Sequence, residues 1–202
     1  WKYNSQVETF YSYEPEMSQS LLRQAGWQEN PEWGWTKDGD PLTLTLTAIR
    51  GNKAHLLTAE YLKYAFAKIG VTLQLDFLPA EVLMTKRLPT GSFQIALYPW
   101  DSSPEANSYA RWHSTQAPPR GQNYTRLTDI EIDGLLNEIQ TTTDVVKLQQ
   151  NYQNLSLKIA EALPAYPLYY HPVMDVYKKT VHNFRPNIHQ GITWNSYEWW
   201  LD

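Results

Sequence analysis

Residues 42–77 constrain the fold of this chain more than any other stretch. Leu42-Thr-Leu-Thr-Leu-Thr-Ala48 alternates apolar and β-branched polar residues, the period-two pattern of a strand with one buried and one polar face. From about Lys53 to Ile69 the spacing becomes helical, with Leu62, Ala65, Phe66 and Ile69 on one side, and Gly70 stops it. Val71 to Phe77 then alternates again. Strand, helix and strand on short connections imply a parallel pair with a right-handed crossover, and hence an α/β fold.

The flanks add to this unit. Pro15 fits the first position of a helix whose apolar stripe is Met17, Leu21, Leu22 and Ala25, ended by Gly26. A loop rich in Trp, Gly and Asp follows through Asp40-Pro41. A short helix around Glu81 to Leu88 leads to a third strand, Phe93 to Tyr98. From Pro99 to Thr128 the chain reads as one long loop, and a loop of that length in a compact domain is usually functional. Thr128-Asp-Ile-Glu131 matches a capping box opening a helix with Ile132, Leu135, Leu136 and Ile139 on one face. Asp144 opens a longer helix with the stripe Leu148, Tyr152, Leu155, Ile159 and Leu163, closed by Pro164. Ala165 to Tyr170 and Met174 to Lys178 read as strands, and the rest is irregular, ending in Trp194 and the Trp199-Trp200 pair.

Charge and composition exclude several classes. A net charge of −4 argues against a nucleic-acid partner, because a duplex-binding surface needs clustered Lys and Arg. The absence of cysteine rules out disulfides and thiolate metal sites. No run approaches the ~18 apolar residues of a membrane span. Nine Trp, fourteen Tyr and five Phe make an aromatic load suited to ligand clefts and interfaces, although most are expected in the core. The chain begins Trp1-Lys2-Tyr3, without initiator Met or export signal, and so reads as a fragment.

Enzymatic chemistry finds little support. His55, His113, His171, His182 and His189 lack metal-ligand spacing, and neither a Gly-x-Ser-x-Gly elbow nor a glycine-rich phosphate loop occurs. Asp129, Glu131 and Asp133 read as helix N-terminal charges favoured by the dipole. The expectation is a binding protein with no catalytic residue, metal or cofactor.

Five blocks then occur in order: Tyr13-Glu-Pro-Glu with Leu21-Leu22 and Ala25-Gly26-Trp27, followed by Lys37-Asp-Gly39; Ala59-Glu60-Tyr61-Leu62 with Lys68-Ile69-Gly70-Val71; Gly91-Ser-Phe93-Gln-Ile-Ala-Leu-Tyr-Pro-Trp100; Gly121-Gln-Asn123 with Asp129-Ile-Glu131-Ile-Asp133-Gly-Leu135-Leu136; and Leu163-Pro164-Ala-Tyr-Pro167-Leu168-Tyr169. Together they resemble the bacterial extracellular solute-binding proteins of family 5, which deliver peptides, nickel or oligosaccharides to ABC importers. The resemblance runs from roughly residue 10 to 202. It implies the C-terminal lobe of a two-lobed, type II periplasmic-binding-protein-like α/β fold, a mixed sheet flanked by helices. Residues 1–170 would be the second, inserted lobe. Residues 171–202 would be a tail returning to an N-terminal lobe outside this chain, leaving Trp194, Trp199 and Trp200 partly exposed or repacked.

The resemblance implies capture of a peptide or related solute between lobes and delivery to an ABC permease, in the periplasm or outside the cell. Membrane association would come through the transporter or a lipid anchor outside this chain. An oligosaccharide importer component and the solute-sensing body of a DNA-binding regulator are the alternatives. A carbohydrate-binding module would also explain the aromatics, but such modules are mostly all-β.

In this family the solute meets loops at the C-terminal strand ends, as in open α/β sheets generally. The candidates are therefore Arg50 and Asn52 after the first strand, and the loop from Trp100 to Asn123. Trp100 either stacks on the solute or packs at the hinge side, and Asp101 either takes a solute amine or caps the loop. Arg111, beside Trp112 and His113, either pairs with a solute carboxylate or is an exposed structural residue. Asn123 either contacts solute or braces the loop through backbone hydrogen bonds. Gln116 stands where dipeptide-binding relatives carry an acid for the ligand's amino terminus. His55-Leu56-Leu57 stands where they carry an Arg for its carboxylate. Without these anchors, longer peptides held through their backbone, or neutral sugars held by stacking, remain the open choices.

Overall fold

A computed structural model describes residues 4–7, 10–100, 108–169, 174–187 and 190–202. The described chain falls into two compact units, one ending at Pro164 and the other running from Ala165 to Asp202. None of the described helices is long and apolar enough to cross a membrane.

The first unit opens with α1 (Pro15–Gln24), with Pro15 in its first turn. Its apolar stripe is not covered: Met17 and Leu21 are both more than half exposed. The stretch after it, expected to be loop, is an antiparallel meander of β1 (Gln28–Asn30), β2 (Gly34–Lys37) and β3 (Asp40–Pro41). Strands of two to four residues are too short to display a period, so the pattern hid them. The meander is anchored by Trp35, which is buried and donates its indole N–H to Ile69 O. Gly34 lies against Gly70 so closely that a Cβ would sit 2.2 Å from the Gly70 carbonyl oxygen, at a φ of +77° that already favours glycine.

The core is the strand–helix–strand unit. β4 (Thr43–Ile49), α2 (Lys53–Lys68) and β5 (Thr72–Leu78) are followed by helical turns at α3 (Ala80–Val82), a π-helical stretch Leu83–Arg87, and α4 (Leu88–Thr90). β6 (Ile95–Leu97) then completes a parallel sheet of order β5-β4-β6. Leu46, Ala59 and Leu73 form its buried centre, with Leu62 and Phe66 of α2 packed on them. Each fully buried Leu contributes about 1.5–3 kcal/mol of transfer free energy.

The threonine face of β4 departs from expectation, because Thr47 is 2% exposed. β4 is the central strand, so its alternation records chemistry and not access to water. β-branched threonine remains compatible with a strand buried on both sides.

After α5 (Ser108–Trp112), a short helix inside the expected loop, the chain enters a helical hairpin of α6 (Ile130–Thr141) and α7 (Val145–Ala162). The two run antiparallel: Lys147 near the start of α7 pairs with Glu138 near the end of α6, and Lys158 pairs with Glu131 at the other end. Asp144 caps α7 by accepting the Val146 and Lys147 N–H groups. The α6 cap is Asp129, accepting from Glu131 and Ile132, and not Thr128 as the capping-box spacing suggested.

Among its described residues the second unit holds one two-stranded ladder, β7 (Val181–His182) with β8 (Trp200–Leu201). No strand forms over 165–169 or 174–178; Tyr170 lies outside the described residues. Pro167 deprives the first of these segments of a ladder donor. The expectation that most aromatics are core also fails. Among the described residues only Trp35 and Trp112 are buried, since tyrosine tips and indole edges keep to the surface.

Candidate functional site

The parallel register places the C-terminal ends of β4, β5 and β6 on one edge of the sheet, with Ile49 level with Leu78, and Ala48 with Leu97. Arg50 and Asn52 leave that edge from β4, and Tyr98 and Trp100 leave it from β6. This is where open α/β sheets present ligand-binding loops. Pro79 and Ala80 leave it from β5, a third corner that the sequence reading did not single out.

On the β6 side, aromatic rings gather. Trp100 stands edge-on to Trp112 at 5.0 Å between centroids and tilted against Tyr98 at 5.8 Å, while Tyr98 meets Tyr124 at 5.9 Å. The Arg111 guanidinium lies over the Trp100 ring at 4.7 Å. Trp112 is buried and Trp100 is 36% exposed, so Trp100 is the accessible face of a supported cluster. Burial pushes the Tyr98 phenol up to about 12, which keeps it protonated as a hydrogen-bonding group at any physiological pH.

The other described candidates also hydrogen-bond within the scaffold. Arg50 donates through Nε and Nη2 to Phe77 O at 3.1 and 2.8 Å, tying the β4 exit to β5. Asn52 caps α2, its side chain accepting the His55 N–H at 3.1 Å. Asn123 is fully buried and braces the loop, as one of its two readings required: Nδ2 donates to His113 O and Leu127 O, and Oδ1 accepts from Leu127 N–H. Gln116 is half-buried; its amide reaches Thr115 Oγ1 at 3.4 Å, and its backbone carbonyl accepts from Asn123 N–H. Asp101 lies outside the described residues, as do His171 and His189. His55 is buried, its Nδ1 accepting the Ile49 N–H, so burial lowers its pKa.

His113, Ser114 and Asp133 adjoin, but not as a nucleophile relay. Such a relay needs the imidazole between hydroxyl and carboxylate. Here Ser114 Oγ donates directly to Asp133, and His113 Nδ1 accepts from Thr115 N–H at 3.2 Å. The ring stacks on Tyr109 at 4.2 Å, and its buried Nε2 has no hydrogen-bond partner among the described residues. This group locks the loop to α6, Ser114 N–H and Oγ both donating to Asp133.

Known proteins of the same build carry this architecture. Residues 1–120 match the family model described as the middle part of bacterial extracellular solute-binding proteins, family 5. The oligopeptide-binding protein AppA of Bacillus subtilis is 24% identical over 204 residues; the alignment covers the whole chain but only 37% of AppA. The solved structure of AppA in complex with a nonapeptide superposes at a TM-score of 0.80, with 23% identity, over all of this chain and 40% of that one. A mannohexaose-bound periplasmic oligopeptide-binding protein from Thermotoga maritima gives a TM-score of 0.74 at 20% identity, covering 84% and 33% of the two chains. At these identities the superpositions speak for a shared α/β fold, and the chain spans well under half the length of these relatives. With more than half of its residues matched by the family model, and its parallel sheet and helical hairpin superposing on such proteins, the chain belongs to the family 5 bacterial extracellular solute-binding proteins.

Proposed function

We propose that this chain is the solute-gripping lobe of an ABC-importer binding protein that captures a peptide and passes it to a membrane permease. The observation that carries the reading is the supported aromatic cluster of Tyr98, Trp100 and Trp112, with Arg111 laid over Trp100, at the C-terminal edge of the sheet. Planar peptide groups and side chains stack on such a surface, and the guanidinium adds a charge that a neutral sugar does not use. The nonapeptide held by AppA favours the same solute class.

In this reading residues 1–170 form the inserted lobe, and 171–202 return to an N-terminal lobe elsewhere in a longer protein. Closure of two lobes on the solute is a population shift driven by contacts made only when both touch it. This chain alone makes part of those contacts, so its own dissociation constant for a peptide is expected to lie above ~1 µM, an affinity weaker than about 8 kcal/mol. The place of action is the periplasm or cell exterior.

The mannohexaose relative makes an oligosaccharide the second reading. Native mass spectrometry of the longer protein as purified separates the two. Co-purifying masses spaced by amino-acid residues support a peptide carrier; a series spaced by hexose units overturns it.

A further inference from the structure

His113 directly follows α5 and opens the 3-10 turn Ser114–Gln116, and its ring caps that turn. Nδ1 accepts the Thr115 N–H at 3.2 Å, with the Thr115 hydroxyl 2.9 Å from the same nitrogen. Helical turns are usually capped by Ser, Thr, Asp or Asn, whose oxygens remain acceptors near neutral pH. An imidazole in this place is different. A backbone N–H only donates, so Nδ1 must keep its lone pair and the neutral ring carries its proton on Nε2. That Nε2–H is buried and has no partner among the described residues. The ring is 6% exposed and stacks on Tyr109, so its polar hold on the loop runs through Nδ1.

Histidine changes charge between about pH 5 and 8. A second proton, on Nδ1, sets donor against donor at Thr115 and abolishes the cap. Among the described residues the titratable groups facing the ring are Asp133 of α6 and Tyr109 of α5; the loop side brings Thr115 and Asn123, which carry no charge. Asp133 Oδ1 lies 3.8 Å from Nδ1, about 1 Å beyond a charge-assisted hydrogen bond. The protonated ring reaches it only by turning away from Thr115, in competition with the Ser114 N–H that Oδ1 already accepts. The strain falls on the neighbouring residue. Trp112 shares with His113 the side-chain amide of Asn123, which donates to both carbonyls, and its ring supports Trp100 at 5.0 Å.

We propose that His113 is a positioning residue that makes solute binding acid-sensitive. Its neutral ring holds Trp112 against Trp100; protonation of Nδ1 releases the 114–116 turn, loosens that support and lowers affinity for the solute. The inference rests on the reading of the Trp100 face as solute-gripping.

The test is calorimetry of the longer protein with a nonapeptide free of Asp, Glu and His, at pH 7.5 and 5.5. His113→Asn keeps a cap acceptor and takes up no proton, so it is the reference. On acidification the wild type should lose about fivefold more affinity than His113→Asn. Equal losses overturn the proposal. Beside it, 5-fluorotryptophan and 15N-histidine labels follow Trp112 and the His113 ring in the solute-free protein. The Trp112 resonance, assigned through Trp112→Phe, should shift in step with protonation of Nδ1. A Trp112 signal that stays fixed while the ring protonates overturns the proposal, and so does a ring still neutral at pH 5.5. These two signals need no solute, and they decide in the wild type even if His113→Asn does not fold. A nonapeptide that binds at neither pH sinks the peptide reading, and the role of His113 then stands or falls on the two signals.

Discussion

Asn123 and Leu127 hold each other twice: the Asn123 side-chain amide donates to Leu127 O at 2.9 Å, and its Oδ1 accepts the Leu127 N–H at 3.0 Å. A further bond to His113 O makes this one buried side chain the knot that fixes the loop behind Trp112 to the approach of α6. Asn123→Ala leaves a buried N–H and two carbonyls short of partners and should cost roughly 2–4 kcal/mol in urea unfolding, with the m-value unchanged. A loss under about 0.5 kcal/mol would show that water substitutes for the amide and that the knot is not structural.

What could be read in the residues, and what could not, follows one physical line. The β4–α2–β5 unit was legible because its periods of two and 3.6 run long enough to repeat. Asp144 as the α7 cap was legible because a carboxylate directly before an apolar stripe has few other roles. The meander around Trp35 was not, since its registration depends on Gly34 meeting Gly70, a contact 36 residues apart that no local pattern records. Of the candidate site, Trp100, Trp112 and Arg111 were singled out from their place after the third strand, whereas Tyr98 was read only as the end of that strand and Tyr124 not at all. Arg50 and Asn52 were found by the same logic, yet their side chains are engaged by Phe77 O and His55 N–H, partners visible only in three dimensions.

The two candidate caps of α6 make a clean contrast. Asp129 Oδ1 accepts two N–H groups, at 2.8 and 3.1 Å, whereas the Thr128 hydroxyl turns back to Arg126 O. Asp129→Ala should therefore destabilise by about 1 kcal/mol, the usual worth of a cap, and Thr128→Ala by only a few tenths. Thermal unfolding of the two variants decides it; equal losses would restore the capping-box reading.

The cluster at the sheet edge predicts a separation of binding from stability. Trp100→Ala removes the accessible ring and the surface under Arg111 and should weaken peptide binding by the longer protein roughly tenfold, while Trp100→Phe keeps most of it. Asn52→Ala should cost about 1 kcal/mol of stability through its lost α2 cap and leave affinity within about twofold. Calorimetric titration with one peptide across the three variants checks this. A tenfold loss in Asn52→Ala instead would move the solute to the β4 corner.

His55 ties acid sensitivity to the core. Its ring is 7% exposed and its Nδ1 accepts the Ile49 N–H at 3.2 Å, so folding favours the neutral ring and lowers its pKa through burial. A histidine whose folded pKa is depressed stabilises fully above its unfolded value of ~6.5, and that contribution is lost as pH falls through the lower folded value. Protonation would also replace the acceptor facing Ile49 N–H with a donor. Stability should thus decline on acidification from pH 7.5 to 5.5, with a His55 contribution to the slope below the ~1.4 kcal/mol per pH unit that uptake of one whole proton would give. His55→Phe is less stable at pH 7.5, because the Ile49 N–H loses its partner, but it should show a shallower pH slope. The difference between the two slopes isolates this ring; identical slopes would mean that folding leaves the His55 pKa at its unfolded value.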